Sequence, residues 1–422
     1  MALIETVTRT RASGGTRVER LEAHPALPLV AGWDSERPAV HVWSFEAGEL
    51  RELATVGGEL APYGDAIGWK RRKREPAVAW HPDQPLLLVV NEGAVRRWTP
   101  EGISAMDRLP PAAAYRYLAF SPDGQTLWAF PSPEAMQDRW RPSADAIDLA
   151  SGTVRPGWGW DTGVARHPGG ALVLTFQSDQ GATHGLFARV GQDTTPAAMR
   201  MLNRALILDC DGYQTPVFSA DGRHLAIRGN AYGNSVEVFE FPSLTRVLAT
   251  TLGEPSPGYP YPDEWLEQMR AWSRHNLAFA AAPGVLWVGT PAGTLVEVDI
   301  DGKRAVEHDA PAGSPVTALC ASAAGDLVVA AGTGELVLMS VQADPTEHRP
   351  GETRAPHELV AAFLDSASEV PDDSNLHEHL VVTNGTQTWA PGDLETVNSA
   401  VGTDPTWLQI RASVNNATAQ EK

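Results

Sequence analysis

The sequence predicts an all-β fold made of repeated antiparallel sheets, and three observations lead to this prediction. The 422 residues include 38 glycines and 33 prolines along the chain, which supply turns for many short elements and argue against a helix bundle. The hydrophobic content of 43% and the charged content of 20% exclude a disordered chain and a coiled coil. The third observation is a strand–turn–strand phrase that recurs along the chain.

This phrase is clearest at residues 118–129, where an apolar strand, a tight Ser-Pro-Asp-Gly turn and a second alternating strand follow one another. Its copies have turns near positions 25, 82, 122, 168, 220, 283 and 323. The shortest spacing is about 40 residues, the length of one four-stranded propeller blade, and longer spacings need only inserted loops. We therefore predict a closed β-propeller of four-stranded antiparallel blades, with a short helix in an inter-blade insertion.

The number of blades is predicted to be seven or eight. A possible eighth unit is formed by residues 359–364, 380–383, 386–389 and 394–397. Because a single blade is apolar on both faces, blades must stack until a ring closes. Either residues 3–8 or residues 407–411 would add the strand that closes the ring, since an open edge invites association. A pair of two-sheet sandwiches is the alternative fold.

The predicted domain organisation is simple. Residues 1–413 form one propeller domain, in which residues 1–15 are the closure segment. Residues 414–422 are predicted to be a disordered tail.

The Ser/His-Pro-Asp-Gly turns resemble those of the WD-repeat β-propeller family over residues 16–400. Trp43, Trp98 and Trp389 end predicted third strands, where that family has its Trp-Asp pair. None of the three is followed by aspartate, and no Gly-His pair precedes the strands, so the hydrogen-bonded tetrad of typical members is mostly missing. The resemblance implies a divergent bacterial, WD-like propeller whose blades rely on packing. It also implies a protein–protein interaction scaffold that acts as a subunit of a larger regulatory or defence-type assembly.

Charge and cysteine content limit the partners and the compartment. The net charge of −19 repels phosphate backbones, so nucleic acid is an unlikely partner. Cys210 and Cys320 are too few for a disulfide framework. We recognise no secretory signal and no apolar run long enough to span a bilayer, so we expect a cytoplasmic protein without a membrane partner.

Five insertions are predicted on one face of the disc, at residues 57–76, 131–143, 229–234, 253–274 and 343–356. Long loops on one side of a rigid scaffold are where binding usually occurs, although insertions also arise neutrally. This face is therefore the predicted partner-binding face.

The insertion at residues 253–274 is predicted to contain a helix capped by Asp263, with Leu266 among the apolar residues on one side. The candidate partner contacts in this segment are Tyr259, Tyr261, Trp265, Met269 and Trp272. Two interpretations stay open: the apolar side docks onto the disc, or its tryptophans anchor a partner.

The strongest positive run of the acidic chain lies in the insertion at residues 57–76. Its candidate contacts are Lys70, Arg71, Arg72, Lys73 and Arg74. Consecutive cations repel one another, so this run would be a solvated loop, would dock onto an acidic protein surface, or would bind a nucleic acid or nucleotide.

We find no motif for a phosphate-binding loop, a serine nucleophile or a zinc site, and we expect no catalytic residues, metal or cofactor. His24, His81 and His167 occupy the same turn position, which indicates a structural role. The leading hypothesis is a non-catalytic interaction scaffold. The alternatives are an enzyme or small-ligand binder that uses several carboxylates and histidines in the axial pocket, and a phosphate-ligand binder that uses residues 70–74.

Overall fold

The computed structural model describes residues 3–106, 115–131, 143–160, 162–179, 182–191, 194–209, 212–229, 233–255, 257–309, 313–342, 354–371 and 376–391. These residues form seven four-stranded antiparallel blades arranged as a propeller. The predicted fold class is confirmed with seven blades, and the sandwich alternative is wrong.

The strands of each blade follow one another in the chain, apart from the strand that closes the ring. Blade 1 contains β2 Val18–Ala23, β3 Leu29–Asp34, β4 Val40–Ser44 and β5 Arg51–Val56. Blade 2 contains β6 Ala77–Trp80, β7 Leu87–Asn91, β8 Ala94–Thr99 and β9 Gly102–Ala105. Blade 3 contains β10 Tyr115–Phe120, β11 Thr126–Pro131, β12 Asp145–Asp148 and β13 Val154–Pro156. Blade 4 contains β14 Ala165–Arg166, β15 Leu172–Asp179, β16 Ala182–Gly191 and β17 Ala198–Asp209. Blade 5 contains β18 Val217–Phe218, β19 His224–Arg228, β20 Ser235–Glu240 and β21 Arg246–Thr251. Blade 6 contains β22 Leu277–Phe279, β23 Val285–Gly289, β24 Thr294–Asp299 and β25 Arg304–Asp309. Blade 7 contains β26 Val316–Ala321, β27 Leu327–Ala331, β28 Glu335–Gln342 and β1 Leu3–Arg11.

The first strand of the chain closes the ring. β1, at Leu3–Arg11, is the outermost strand of blade 7 and pairs antiparallel with β28, from Leu3 opposite Gln342 to Arg11 opposite Glu335. Of the two predicted closure segments, the one at residues 3–8 is therefore confirmed, and residues 407–411 lie outside the described residues.

The hydrophobic core lies between the blades. Buried apolar side chains of the described residues form seven clusters, and each cluster combines residues of two neighbouring blades. Tryptophan side chains add hydrogen bonds across these interfaces, such as that from Trp33 Nε1 to the Pro76 carbonyl oxygen at 2.9 Å and that from Trp80 Nε1 to the Glu22 carbonyl oxygen at 3.0 Å. Each blade therefore depends on both of its neighbours, as expected for a structure whose units cannot bury their faces alone.

Histidines in the turns between first and second strands also join neighbouring blades. His24 Nε2 lies 2.8 Å from the Gln84 carbonyl oxygen, and His167 Nε2 lies 3.0 Å from the Gly222 carbonyl oxygen. The ring of His81 packs against Gly124, where a Cβ atom would lie only 2.1 Å from the imidazole. The histidines that recur at this turn position therefore have the predicted structural role, which is to join neighbouring blades.

The segment predicted as an eighth blade has a different structure. Residues 359–364 belong to helix α3, Pro356–Asp365, whose Leu359, Val360 and Phe363 are buried between blades 4 and 5. β29 Val381–Thr383 pairs parallel with β17, and β30 Thr388–Trp389 pairs with β29, so the two strands extend blade 4 outward. The eighth unit is therefore wrong, and Trp389 does not end the third strand of a blade. Residues 394–397 lie outside the described residues.

The two faces of the disc differ in their connections. Loops between blades, and loops between second and third strands, open on one face, which we call the loop face. Four of the five predicted insertions start from this face. The insertion at residues 343–356 follows β28, a third strand, and therefore leaves from the opposite face, where Pro356 lies against Gly169 in a turn of blade 4. Its predicted place on the loop face is wrong because β1, from the start of the chain, occupies the fourth position of blade 7 beside β28.

Two helices lie in the loop-face insertions. They are α1, Gly68–Arg72, between blades 1 and 2, and α2, Asp263–Ala271, between blades 5 and 6. None of the described helices is long and apolar enough to cross a membrane.

Candidate functional site

A cavity of about 1070 Å³ opens at the axis of the ring on the loop face. Its walls come from α1, from the C-terminal end of α2 and from residues at or just before the innermost strand of each of the seven blades. We call this cavity the axial mouth.

The axial mouth is strongly positive although the protein as a whole is acidic. The described residues that line it include seven arginines and two glutamates, a local charge of +5 against a net charge of −19 for the chain. The arginines are Arg17, Arg20, Arg71, Arg72, Arg116, Arg270 and Arg274. A concave surface lined by charge of one sign focuses the electrostatic potential and attracts ligands of the opposite sign.

Some of these arginines are held by neighbours within the protein. Arg71 forms an ion pair with Glu19, and its guanidinium lies 4.8 Å from the ring centre of Tyr63. Arg20 lies 3.3 Å from Glu22 and 4.3 Å from the ring centre of Trp33. Such contacts fix the side chains in the wall of the cavity.

Other arginines lack an internal partner. The guanidinium groups of Arg17, Arg72 and Arg270 are exposed and have no hydrogen-bond or ion-pair partner among the residues that the structure describes. They come from three separate elements, namely the connection before β2, the end of α1 and the last turn of α2. Three uncompensated cations thus meet at one opening.

A buried cation lies behind the wall of the axial mouth. Arg228 is 3% exposed and donates to Asn276 Oδ1 at 2.9 Å, to Asn234 Oδ1 at 3.1 Å and to the Ser273 carbonyl oxygen at 3.1 Å. None of the described carboxylates forms an ion pair with it. Burial, together with the nearby positive charge of Arg274, lowers the pKa of Arg228 to about 9, so the group is still protonated at neutral pH. Its charge is therefore satisfied by hydrogen bonds but not neutralised.

The titration of His275 reflects the same positive field. Desolvation is the main reason why the pKa of His275 lies well below its ordinary value. The positive charges of Arg20, Arg274, Arg228 and Arg72 lower this pKa further. The imidazole is consequently neutral at physiological pH and adds no acid–base group to the cavity that titrates near pH 7.

The predicted basic run is divided between two environments. Arg71 and Arg72 line the axial mouth. Arg74 turns away from it and pairs with Glu92 at 2.7 Å, while also donating to the carbonyl oxygens of Ala61 and Pro62. Lys70 and Lys73 are exposed. The five cations therefore do not act as one surface, because internal carboxylates neutralise Arg71 and Arg74.

The predicted aromatic contacts lie on the other side of α2. Trp265, Met269 and Trp272 line a second cavity of about 530 Å³, which we call the outer groove. Trp272, the residue after the helix, also packs against the core between blades 5 and 6, whereas no residue of α2 itself is buried. Docking onto the disc and anchoring of a partner therefore both stay open for Trp265 and Met269. Tyr261 stacks on Trp265 with ring centres 5.0 Å apart, and Tyr259 is exposed.

The predicted cap of α2 is wrong. Pro262 is the N-cap residue and Asp263 is the first helical residue, so its side chain does not cap the helix. Proline before the helix start sets an extended backbone, and the charge of Asp263 in the first turn still interacts favourably with the helix dipole.

The sequence carries little signal for most of the axial mouth. Arg17, Arg116 and the pair Arg270 and Arg274 come from three distant parts of the chain, and only closure of the ring brings them together. Their position in the sequence is a signal for the axial mouth, because three of the four arginines stand at or just before the innermost strand of a blade.

A hydrogen-bonded network in blade 1 was also missed. His41 Nδ1 lies 2.7 Å from Glu52 Oε1, and His41 Nε2 lies 3.2 Å from Asp34 Oδ2. The Ser13 backbone N–H donates to Glu52 Oε2 at 2.7 Å, and Thr16 Oγ1 donates to Asp34 Oδ2 at 3.0 Å. Burial opposes protonation of His41, but hydrogen bonds to Asp34 and Glu52 and their charges outweigh it and raise the pKa of His41 to about 8. The network ties the connection between β1 and β2 to blade 1.

Within the described ranges, no group of three or more His, Cys, Asp or Glu side chains is arranged to hold a metal ion. Comparison of the sequence with protein-family models and with curated proteins gave no match. The propeller architecture is thus the level at which the protein is classified.

Proposed function

We propose that this protein is a non-catalytic interaction platform that binds an acidic segment of a partner protein in the axial mouth. The observation that carries the proposal is the meeting of the unpaired Arg17, Arg72 and Arg270 at one cavity, in front of the buried Arg228. Propellers commonly serve as interaction scaffolds, and arginine is enriched at protein interfaces. Arginine also suits carboxylates because its planar fork donates two parallel hydrogen bonds.

The acidic remainder of the surface is compatible with this ligand. At physiological salt, charges more than about 8 Å apart are largely screened, so a segment inside the mouth interacts mainly with the nearby arginines. The surrounding negative surface would instead orient the segment by excluding it from other sites. Binding should therefore weaken steeply as the salt concentration rises.

Charge reversal at the mouth tests the proposal. A fluorescently labelled polyglutamate peptide should bind the protein, and the Arg17→Glu/Arg72→Glu/Arg270→Glu variant should bind it at least about tenfold more weakly, because exposed ion pairs contribute roughly 0.2–1 kcal/mol each. The matched control is Arg9→Glu/Arg51→Glu/Arg155→Glu, which changes the net charge equally at exposed arginines outside the cavity. Equal loss in the two variants, or no binding by the parent protein, would contradict the proposal.

A second candidate function is binding of a small anion in the same cavity, as a small-ligand-binding propeller or an enzyme. The volume of about 1070 Å³ favours it, since it is at the upper end of the range typical of small-molecule sites. Tripolyphosphate is a suitable probe. If it displaces the acidic peptide and binds more tightly than the peptide does, this candidate replaces the first.

Membership of the WD-repeat family, a bacterial assembly of regulatory or defence type and a cytoplasmic location stay predictions from the sequence. Affinity purification from the native host, with and without the triple substitution at the mouth, would identify a partner that depends on these arginines.

A further inference from the structure

The outer groove is opposite in charge to the axial mouth. Its apolar walls are formed by Leu252, Trp265, Met269, Trp272, Pro291 and Val296. Glu254 and Glu307 also line it, and the described lining contains no arginine, lysine or histidine. The groove therefore combines aromatic and aliphatic surface with negative charge.

Both carboxylates are without a cationic partner among the residues described. Glu307 Oε1 accepts a hydrogen bond from Thr294 Oγ1 at 2.5 Å, which positions the carboxylate but leaves its charge uncompensated. The Glu254 backbone carbonyl accepts from Trp265 Nε1 at 3.2 Å, so the first glutamate is held beside one of the tryptophans. A carboxylate beside an indole is a favourable environment for a cation on an aliphatic stem, which gains both ion-pair and cation–π interactions.

The two cavities share a wall. Ala271, the last residue of α2, lines both of them, while Arg270 faces the axial mouth and Trp272 faces the outer groove. The C-terminal end of α2 is fixed by the bond from Asn234 Nδ2 to the Met269 carbonyl oxygen at 3.2 Å and by that from Ser273 Oγ to the Thr317 carbonyl oxygen at 2.5 Å. One helix, about 10 Å across, therefore separates a positive cavity from a negative groove in a fixed arrangement.

We propose that the outer groove binds an arginine or lysine side chain of the same partner segment whose acidic residues occupy the axial mouth. The proposal rests on the proposed function for the identity of the acidic part and adds a second, basic contact. Since an extended chain advances about 3.3 Å per residue, the basic residue stands about three residues from the acidic block. Opposite charges on the two sides of α2 fix the direction in which the segment lies.

Matched peptides test this inference. The first carries a glutamate block, a three-residue Gly-Ser-Gly spacer and one arginine; the second replaces arginine by citrulline, which has the same shape without the charge; the third is the glutamate block alone. In fluorescence anisotropy, the arginine peptide should bind about tenfold more tightly than the citrulline peptide. Equal affinities would overturn the inference.

Variants of the groove locate the effect. Glu254→Gln/Glu307→Gln should remove the preference for arginine over citrulline and leave the affinity for the glutamate block unchanged. Glu5→Gln/Glu49→Gln, at exposed glutamates outside the groove, should retain the preference. If the groove variant keeps the preference, or if the control loses it equally, the inference is wrong.

A fourth peptide separates failure of the groove from failure of the axial mouth. It contains arginine residues between leucines and has no acidic block. If the glutamate block does not bind the parent protein, the proposed function fails, but this peptide should still bind the parent more tightly than it binds Glu254→Gln/Glu307→Gln. Equal binding of this peptide to both would reject the groove as a cation site.

Discussion

His167 in blade 4 donates through Nε2 to the carbonyl oxygen of Gly222 in blade 5, across 3.0 Å, while its Nδ1 accepts from the Gly169 N–H at 3.0 Å. Both ring nitrogens are used by the neutral imidazole, and the side chain is buried. A proton added to Nδ1 would lose the bond from Gly169. The join between the two blades therefore requires the neutral form.

This requirement predicts acid destabilisation. Burial is the main cause that lowers the pKa of His167 to about 4, below the ordinary value of about 6.5 in the unfolded chain. The unfolded state therefore binds the extra proton, and the contribution of His167 is complete above pH 6.5 and is lost as the pH falls to about 4. The expected loss is ~3 kcal/mol in the free energy of unfolding.

Denaturant unfolding between pH 4 and pH 8 measures this loss. Other buried histidines, including His24 and His224, have pKa values shifted in the same direction, so the parent protein is compared with His167→Gln. The variant should be less stable at pH 8 and have a shallower dependence on pH. Parallel curves for the two proteins would count against the assignment.

His41 should make the stability of the protein depend on pH in the opposite direction. Its pKa is raised to about 8 by Asp34 and Glu52, so its contribution is complete below the unfolded value of about 6.5 and is lost as the pH rises through 8. We expect a decrease of ~2 kcal/mol in the free energy of unfolding between pH 6.5 and pH 9. The decrease should be absent from His41→Gln, and NMR titration of the imidazole provides a direct check. An imidazole that titrates below pH 6.5 would disprove the prediction.

The close contact between Gly169 and the start of α3 predicts that a larger residue at position 169 displaces this helix. A Cβ atom at this position would lie 2.4 Å from the Pro356 carbonyl oxygen, and the backbone of Gly169 is not in the left-handed region. Gly169→Ala should therefore displace α3 by steric overlap alone, at a cost of about 1–3 kcal/mol. Hydrogen exchange of the α3 amides should accelerate more than that of the inner strands. Gly157→Ala is the control, because its nearest neighbour would be 3.7 Å away, and a similar change there would exclude a specific effect.

Removal of β1 should cause the protein to associate with other copies of itself. A variant without residues 2–11 leaves β28 as an exposed edge of blade 7, and exposed edges pair with other chains. Light scattering should show concentration-dependent oligomers together with a lower melting temperature. A synthetic peptide with the sequence of Leu3–Arg11 should reverse both changes when added in trans. A monodisperse variant of unchanged stability would show that β1 is dispensable.

The fold could be predicted because its signal is local. The turn at Ser121, for example, is repeated as a short sequence in which the serine hydroxyl accepts from the Thr126 N–H at 2.9 Å. The prediction of an eighth unit is wrong because the apolar run at residues 359–364 suits a strand as well as a helix. The deciding features precede it: Pro356 in the first turn, and Glu358, whose carboxylate accepts from the Ala355 N–H at 2.8 Å.

The candidate site was less predictable because its charge is not local. The basic run at residues 70–74 stands out in the sequence, yet Glu92 neutralises one of its members and Glu19 another. The unpaired Arg17 and Arg270 are separated by most of the chain and have no distinguishing neighbours. Their joint location depends on the order in which the blades surround the axis.

Closure by β1 also constrains how the polypeptide matures on the ribosome. Leu3 pairs with Gln342, so the first of the described ring strands in the chain must wait for β28, the last of them. During translation at about 5–20 residues per second, β1 stays without its partner for tens of seconds. Its polar residues Glu5, Thr6, Thr8 and Arg9 give the waiting strand a largely polar surface, which limits premature pairing until the final blade emerges.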